Sequence, residues 1–311
     1  MSLQQDAVGP VHDEGRYEGD STDGIVGTAR RYLLVTKPRI IELLLITTVP
    51  AMIVAAGTWP GTWLVIATLF GGALSAGGAN AINNYLDRDI DRVMRRTKRR
   101  PTARDEVSPR AALWFGIALG VAGLVWLGML VNWLAAALAT GALLFYVFVY
   151  TLGLKRRTDQ AVVIGGAAGC VPVLTGWAAV TGDLADPRPW LLFALIFWWT
   201  PPHFWALAYK YREDYAAAGL PMLPVTRGAE EAGRQILLHS YLLLSVVLLY
   251  IAGAQTGWIF AITGLVLTGV WLVLAHKLHR EGTVAAAMNL FRYSTGYLAA
   301  IFLAAAIDAL I

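Results

Sequence analysis

Between Asn80 and Pro101 the chain reads NAINNYLDRDIDRVMRRTKRRP, with three carboxylates and seven Lys/Arg in 22 residues. Asn83, Asp87 and Asp91 stand at i, i+4 and i+8, so on a continuous helix they share one face. Helical rise separates Asn83 from Asp91 by about 12 Å, too far for one ion to bridge all three. Asn83 and Asp87 could hold one ion, and Asp91 could orient its water or hold a second. Amide and carboxylate oxygens suit Mg2+, which takes one or two carboxylates plus water and substrate phosphate. Arg88, Arg92, Arg95 and Arg96 form a basic stripe about 100° around the same helix, and Lys98, Arg99 and Arg100 follow. An acidic stripe beside a basic one suits a diphosphate. The metal bridges acid to phosphate, and guanidinium groups take the remaining oxygens in pairs.

A second charged cluster, ALAYKYREDYAAAGLPMLPVTRG, spans 206–228. Lys210, Arg212 and Asp214 lie within two turns there. Asp214 could add a metal or phosphate-water contact, and Lys210 a phosphate contact. Just upstream, Pro201 and Pro202 are expected to kink a helix and free backbone groups. The one cysteine, Cys170, sits in an apolar block, excludes an internal disulfide and reads as a small packing residue.

The elements that carry these residues are apolar. The 311 residues are 57% apolar and only 15% charged, with a mean hydropathy of +0.56. The apolar residues come in blocks of about 20, the length that crosses a hydrocarbon core. The composition therefore predicts an all-α polytopic membrane protein and excludes a soluble domain. Nine spans are expected, at 39–57, 63–86, 110–131, 133–152, 161–181, 189–209, 234–253, 257–278 and 288–310. Residues 1–29 are polar and read as a disordered cytosolic tail with no secretory signal, and 30–311 read as one transmembrane domain. With nine spans, 24 of the 25 Lys/Arg fall on one face and only Arg188 on the other. The positive-inside rule then puts the N-terminus and the long loops 87–109 and 210–233 in the cytoplasm. Those loops follow the second and sixth spans, a spacing that hints at a duplicated four-helix unit.

Both charged clusters thus sit at cytoplasmic helix ends and could close on one polar head group, with the bundle below holding an apolar tail. That geometry fits an isoprenyl diphosphate. An arginine-rich flank also serves as a topology signal, and Asp91 with Arg95 could be a plain i,i+4 pair. An amide and two acids aligned where a span meets water are harder to place without a ligand.

Asn83, Asp87, Ile90, Asp91, Val93, Arg96, Thr97 and Arg100 resemble the signature of the UbiA superfamily of intramembrane prenyltransferases. TKPR (36–39), RTKRRP (96–101), WWTPPHFWALA (198–208) and AGLPMLPV (218–225) resemble its haem-farnesylating branch. The resemblance runs from about residue 33 to 295. It implies nine helices around a central cavity, in the cell membrane with the active site facing the cytoplasm. It implies transfer of farnesyl from farnesyl diphosphate to a vinyl group of haem b, with water addition, giving haem O and diphosphate. Asn83, Asp87 and Asp91 would be its first Mg2+-diphosphate motif. The second motif of quinone-type relatives, Asp-x3-Asp, reads Lys210-x3-Asp214 here, which leaves a second Mg2+ open.

Under that resemblance Arg88, Arg92, Arg96, Lys98, Arg100, Lys210 and Arg212 are diphosphate candidates. His203, within WTPPHFW, could ligate or steer haem iron, or be a hydrogen-bonded interior histidine. Lys37, Arg39, Lys155 and Arg156 are candidate propionate partners, with topology signalling as the alternative. Trp198, Trp199, Phe204 and Trp205 could line the porphyrin or prenyl slot, or pack at the interface. Glu42 is an acid within the first span with no identifiable partner, and His239, His276 and His279 read as interfacial residues. Partners implied are the bilayer, farnesyl diphosphate, haem b, and haem A synthase or terminal-oxidase assembly proteins. No nucleic acid is expected. Competing readings are a UbiA-type enzyme using an aromatic or quinone-precursor acceptor, a transporter of anions, and a non-catalytic haem-handling protein. A transporter would place charges at the bilayer midplane, whereas these cluster at one face.

Overall fold

The computed structural model describes residues 24–254 and 256–311, with the side chains of 39, 40 and 42–45 outside the described set. Most of the expected tail, and the side chains of Arg39 and Glu42, therefore lie outside the described residues. Every regular element among the described residues is helical. Helix α1 covers Ile25–Val35 and so begins inside the stretch expected as tail. It presents Ile25, Val26, Leu33 and Leu34 outward and buries Val35.

Helix α2 covers Pro38–Ala56 and starts from Lys37, whose φ of 56° turns the chain left-handed between the helices. Helix α3 covers Thr62–Leu86. Its Asn84 and Asn80 amides donate to the carbonyls of Val35 (2.6 Å) and Thr36 (2.9 Å). These bonds satisfy carbonyls left open where α1 ends and fix the α1–α2 corner on α3. Helix α4 covers Arg88–Val93 and α5 covers Pro109–Leu130. Helices α3 and α5 meet at glycines. A Cβ on Gly78 would stand 2.7 Å from the Gly116 carbonyl oxygen, and one on Gly116 would stand 2.8 Å from that of Gly78. Small residues at such contacts let backbones approach closely in lipid.

Helix α6 covers Trp133–Leu144 and runs on as a π-helical segment, Phe145–Leu154. Then follow α7 (Ala161–Gly165), α8 (Ala167–Thr181) and α9 (Arg188–Lys210). Helix α9 continues through Pro201 and Pro202 without ending. Short helices α10 (Arg212–Ala217) and α11 (Leu223–Thr226) lead to α12 (Gly228–Gly253), α13 (Trp258–Glu281) and α14 (Val284–Asp308).

Among the described residues eight helical segments are long and apolar enough to cross a bilayer: α3, α5, α6 with its π-helical extension, α7 with α8, α9, α12, α13 and α14. The 19-residue α2 occupies the position of the remaining expected span. Helix α12 starts six residues before the expected span and α14 four before. Hydropathy marks only the lipid-facing length, while a charged first turn holding Glu230 and Glu231 carries α12 beyond it. Among the described residues the largest buried side chains are Trp177 on α8, Trp205 on α9, Tyr250 on α12, Trp271 on α13 and Tyr297 on α14.

Candidate active site

The α3–α4 junction is a bend at Asp87 (φ −97°, ψ 6°) that keeps helical hydrogen bonding. Asp87 N donates to Asn83 O (2.9 Å) and Asp91 N to Asp87 O (2.8 Å). The i, i+4, i+8 ladder therefore survives, and all three side chains are buried. Each meets a cation. Lys37 Nζ donates to Asn83 Oδ1 (2.5 Å). Lys155 Nζ bonds Asp87 Oδ2, which also accepts from Asn83 Nδ2 (2.7 Å). Arg100 Nη1 meets both oxygens of Asp91 at 2.8 and 2.7 Å.

The cations come from three separate elements. Lys155 is delivered by the π-helical segment, where Lys155 N bonds Tyr150 O (2.8 Å) across five residues. The wider turn also faces Thr151 inward, and Asn83 Nδ2 lies 3.3 Å from its hydroxyl. Burial, then the charge of Arg100, push the Lys37 ammonium well below the usual lysine range, opposed by Asp91 and Asp87. Arg100 returns on a tight loop, pinned where the Thr97 hydroxyl donates to Asp91 O (3.3 Å).

The expected basic stripe is not a single helical face. Helix α4 ends at Val93 and Met94 is extended (ψ 126°), so Arg95 and Arg96 leave the helix. Arg88 and Arg92 are exposed and turn away from the acids, Arg88 to Tyr85 O and Arg92 to Asp105. Arg95 reaches across to the second cluster, meeting Asp214 at 2.8 Å and Glu213 at 3.2 Å. Arg96 lies over the Tyr211 ring, as does Lys210. Lys98 and Arg212 are exposed. Arg156 pairs with Asp89 through two 2.7 Å bonds that hold that carboxyl down at about 2.

Among the described residues no group of three or more His, Cys, Asp or Glu gathers around one point. The oxygen donors nevertheless fit a hard cation. Asp87 Oδ1 and Asp214 Oδ2 are buried carboxylate oxygens without a hydrogen-bond partner. A buried charged oxygen left open in this way is stabilised by a cation.

His203 lies apart from this cluster, on α9 against α14. Its ring stacks between Trp199 (centroids 4.3 Å) and Phe291 (4.6 Å), and its Nδ1 lies 2.5 Å from Ser294 Oγ. Trp205 is buried edge-on to His239; Phe204 is exposed; Trp198 packs edge-to-face on Phe197. Lys37, Lys155 and Arg156 are engaged by Asn83, Asp87 and Asp89. Thr151 and Ser294 are additions from the structure. Thr151 had a faint signal, a lone hydroxyl one helical turn before Lys155, and Ser294 had none.

Fold and site together define a polytopic helical membrane protein that gathers buried carboxylates and cations at one end of its bundle. The UbiA prenyltransferase family model matches residues 44–304. A protoheme IX farnesyltransferase of Clavibacter sepedonicus is 51% identical, covering 93% of this chain and 95% of that protein. Another of Parafrankia sp. is 52% identical, covering 91% of each. In fold, the chain is similar to a digeranylgeranylglyceryl phosphate synthase (TM-score 0.75, 18% identity, 91% of this chain and 98% of that one). It is also similar to a UbiA homologue from Archaeoglobus fulgidus bound to DMAPP and Mg2+ (TM-score 0.66, 19% identity, 90% and 99%). The chain belongs to the UbiA prenyltransferase family.

Proposed function

We propose that the chain transfers the farnesyl group of farnesyl diphosphate to a vinyl group of haem b, with addition of water, releasing haem O and diphosphate. The observation that carries the diphosphate half is the buried Asn83–Asp87–Asp91 ladder, with its open Asp87 oxygen and its ring of Lys37, Lys155 and Arg100. The acceptor half is supported by the relatives above, named protoheme IX farnesyltransferase and about half identical over nine-tenths of the chain.

Asn83, Asp87 and Asp91 would hold Mg2+, with Asp214 as a further oxygen donor. When bound, Mg2+ neutralises charge building on the leaving diphosphate. Lys37, Lys155 and Arg100 then turn from the acids to the phosphate oxygens and stabilise the same developing charge. Arg88, Arg92, Arg96, Lys98, Lys210 and Arg212 supply positive potential at this end of the bundle and draw the diphosphate in. The allylic C1–O bond breaks within an apolar bundle that keeps water from the farnesyl cation. The vinyl carbon takes the farnesyl group, and water captures the cation left beside the pyrrole and loses a proton, leaving the hydroxyl. No protein nucleophile is required, so positioning and electrostatics carry the reaction. His203 holds the haem, and Arg39 and Arg156 are the propionate partners in this reading, Arg156 on leaving Asp89, while Asp87 keeps Lys155 on the diphosphate side. The reaction takes place at the cytoplasmic face of the cell membrane, and its product feeds haem A synthase or terminal-oxidase assembly.

The test is product analysis. Membranes holding the protein are incubated with haem b, farnesyl diphosphate and Mg2+, and the hydroxyethylfarnesyl haem is sought by mass spectrometry. Wild type is expected to form it, and Asp87→Ala to lose at least about 100-fold, the scale of removing one transition-state charge contact. Farnesyl appearing only on an added aromatic acceptor would keep the family and overturn the haem reading.

A further inference from the structure

One half-buried polar group, between α9 and α14, is not used by the diphosphate chemistry. His203 sits about two turns before the end of α9, between the faces of Trp199 and Phe291, tilted 20° and 29° from them. Its Nδ1 is 2.5 Å from Ser294 Oγ. Ser294 Oγ in turn is 2.6 Å from the carbonyl oxygen of Phe291. A carbonyl only accepts, so the single Ser294 proton lies on that second contact. The serine oxygen must then accept from His203, which puts the imidazole proton on Nδ1. Trp199 Nε1 donates to the Ser294 carbonyl (2.9 Å), so the residue is fastened from both sides. The ring is fixed in plane by two aromatic faces and in tautomer by one serine.

Nε2 is left with its lone pair free. Among the described residues no hydrogen bond reaches it, and it is not one of the buried, closed-off polar atoms. A bare acceptor within a membrane helix is unfavourable unless something occupies it. Metal-binding histidines are arranged in this way: one nitrogen ligates, and the other donates to a neighbour that sets tautomer and orientation. On the haem reading proposed above, we infer that His203 Nε2 is the axial ligand of the haem iron. Ser294 is its positioning residue, acting through the Nδ1–H bond and touching neither iron nor vinyl group.

The test binds porphyrins to the purified full chain, with ferric haem b and metal-free protoporphyrin IX as probes, read by absorption and by electron paramagnetic resonance. The wild-type haem complex is expected to show histidine ligation. His203→Ala should abolish that signature. Ser294→Ala should weaken haem binding about 10- to 100-fold, the usual effect of losing a ligand's hydrogen-bonded partner, and leave metal-free porphyrin binding unchanged. Ser294→Thr, which keeps the hydroxyl, should restore haem binding. A wild-type haem complex without histidine ligation overturns the inference whatever the variants do. An equal loss for both porphyrins in Ser294→Ala also overturns it, since that is a packing effect. Product analysis separates the two readings. Haem O formed with no histidine signature fails this inference alone, and a His203-dependent signature without haem O fails the farnesyl-transfer reading alone.

Discussion

At the scale of single residues, the site is a set of buried charges that compensate one another. Lys155 and Asp87 are both largely buried, so each relies on the other. Removing one partner of such a pair leaves an uncompensated charge, which costs about 3–5 kcal/mol. Lys155→Met is therefore expected to lower unfolding stability by that order in a Mg2+-free buffer, leaving Asp87 with only the Asn83 amide. A divalent cation that fills the vacated position should stabilise the variant by mass action more than it does the wild type. Thermal unfolding of both proteins over a Mg2+ titration checks this. Equal responses of the two would mean that the Lys155 ammonium does not stand where the metal goes. The same scale shows what was legible. Asn83, Asp87 and Asp91 could be read from spacing because a helical register is local, and hydrogen bonding persists through the bend at Asp87. Ser294 could not be read, because a serine in an apolar helix acquires its role only when α14 brings it to His203, 91 residues away in sequence.

At the scale of elements, α3 is the beam that carries the acid ladder, and α5 holds it in place. Their contact depends on glycine. A Cβ at Gly116 would meet Gly78 O at 2.8 Å and Ile82 N at 2.9 Å, both backbone atoms that cannot rotate aside. Gly116→Ala should therefore push α3 and α5 apart at a cost of about 1–3 kcal/mol, and activity should fall with it because Asn83 lies just beyond the contact. Gly72→Ala is the matched control, since nothing lies within 4 Å of its Cβ. Unfolding midpoints and product yields of the two variants check this, and equal behaviour would remove the close-packing argument. Element boundaries were legible where lipid dictates length. They were not legible where polar contacts decide. The turn at Met94 takes Arg95 and Arg96 off the helix, and it is held by Arg95 to Asp214 and Arg100 to Asp91, pairs formed only in the folded chain. The π-helical turn that aims Lys155 at Asp87 lies in an unbroken apolar run, FYVFVYTLGL, whose composition reads equally well as α-helix.

At the scale of the whole molecule, the charged loops form one polar cap at one end of the bundle. Arg95 ties the loop after α4 to α10 through Asp214 and Glu213. Asp159, ahead of α7, accepts from Arg227 Nε (2.5 Å) and Thr226 (3.2 Å), ahead of α12. A cap of this charge prefers the cytoplasmic side, and the span count decides which other loops share it. Cysteine scanning tests both points, because the native Cys170 is buried and unavailable to a reagent. Lys98, Asp183, Thr28 and Ile311 are all exposed. Lys98 and Asp183 are separated by three spanning segments, so they must lie on opposite faces. Asp183 and Ile311 are separated by four, so they must share one. With α2 spanning as well, Thr28 lies on the Lys98 side; if α2 does not span, it lies on the Asp183 side. An impermeant maleimide applied to intact cells is expected to label Asp183→Cys and Ile311→Cys. Lys98→Cys and Thr28→Cys should react only after permeabilisation. Labelling of Lys98→Cys from outside would invert the protein and put the proposed diphosphate site on the wrong face for a cytosolic substrate. Labelling of Thr28→Cys together with Asp183→Cys would instead keep the site where it is and reduce the spans to eight.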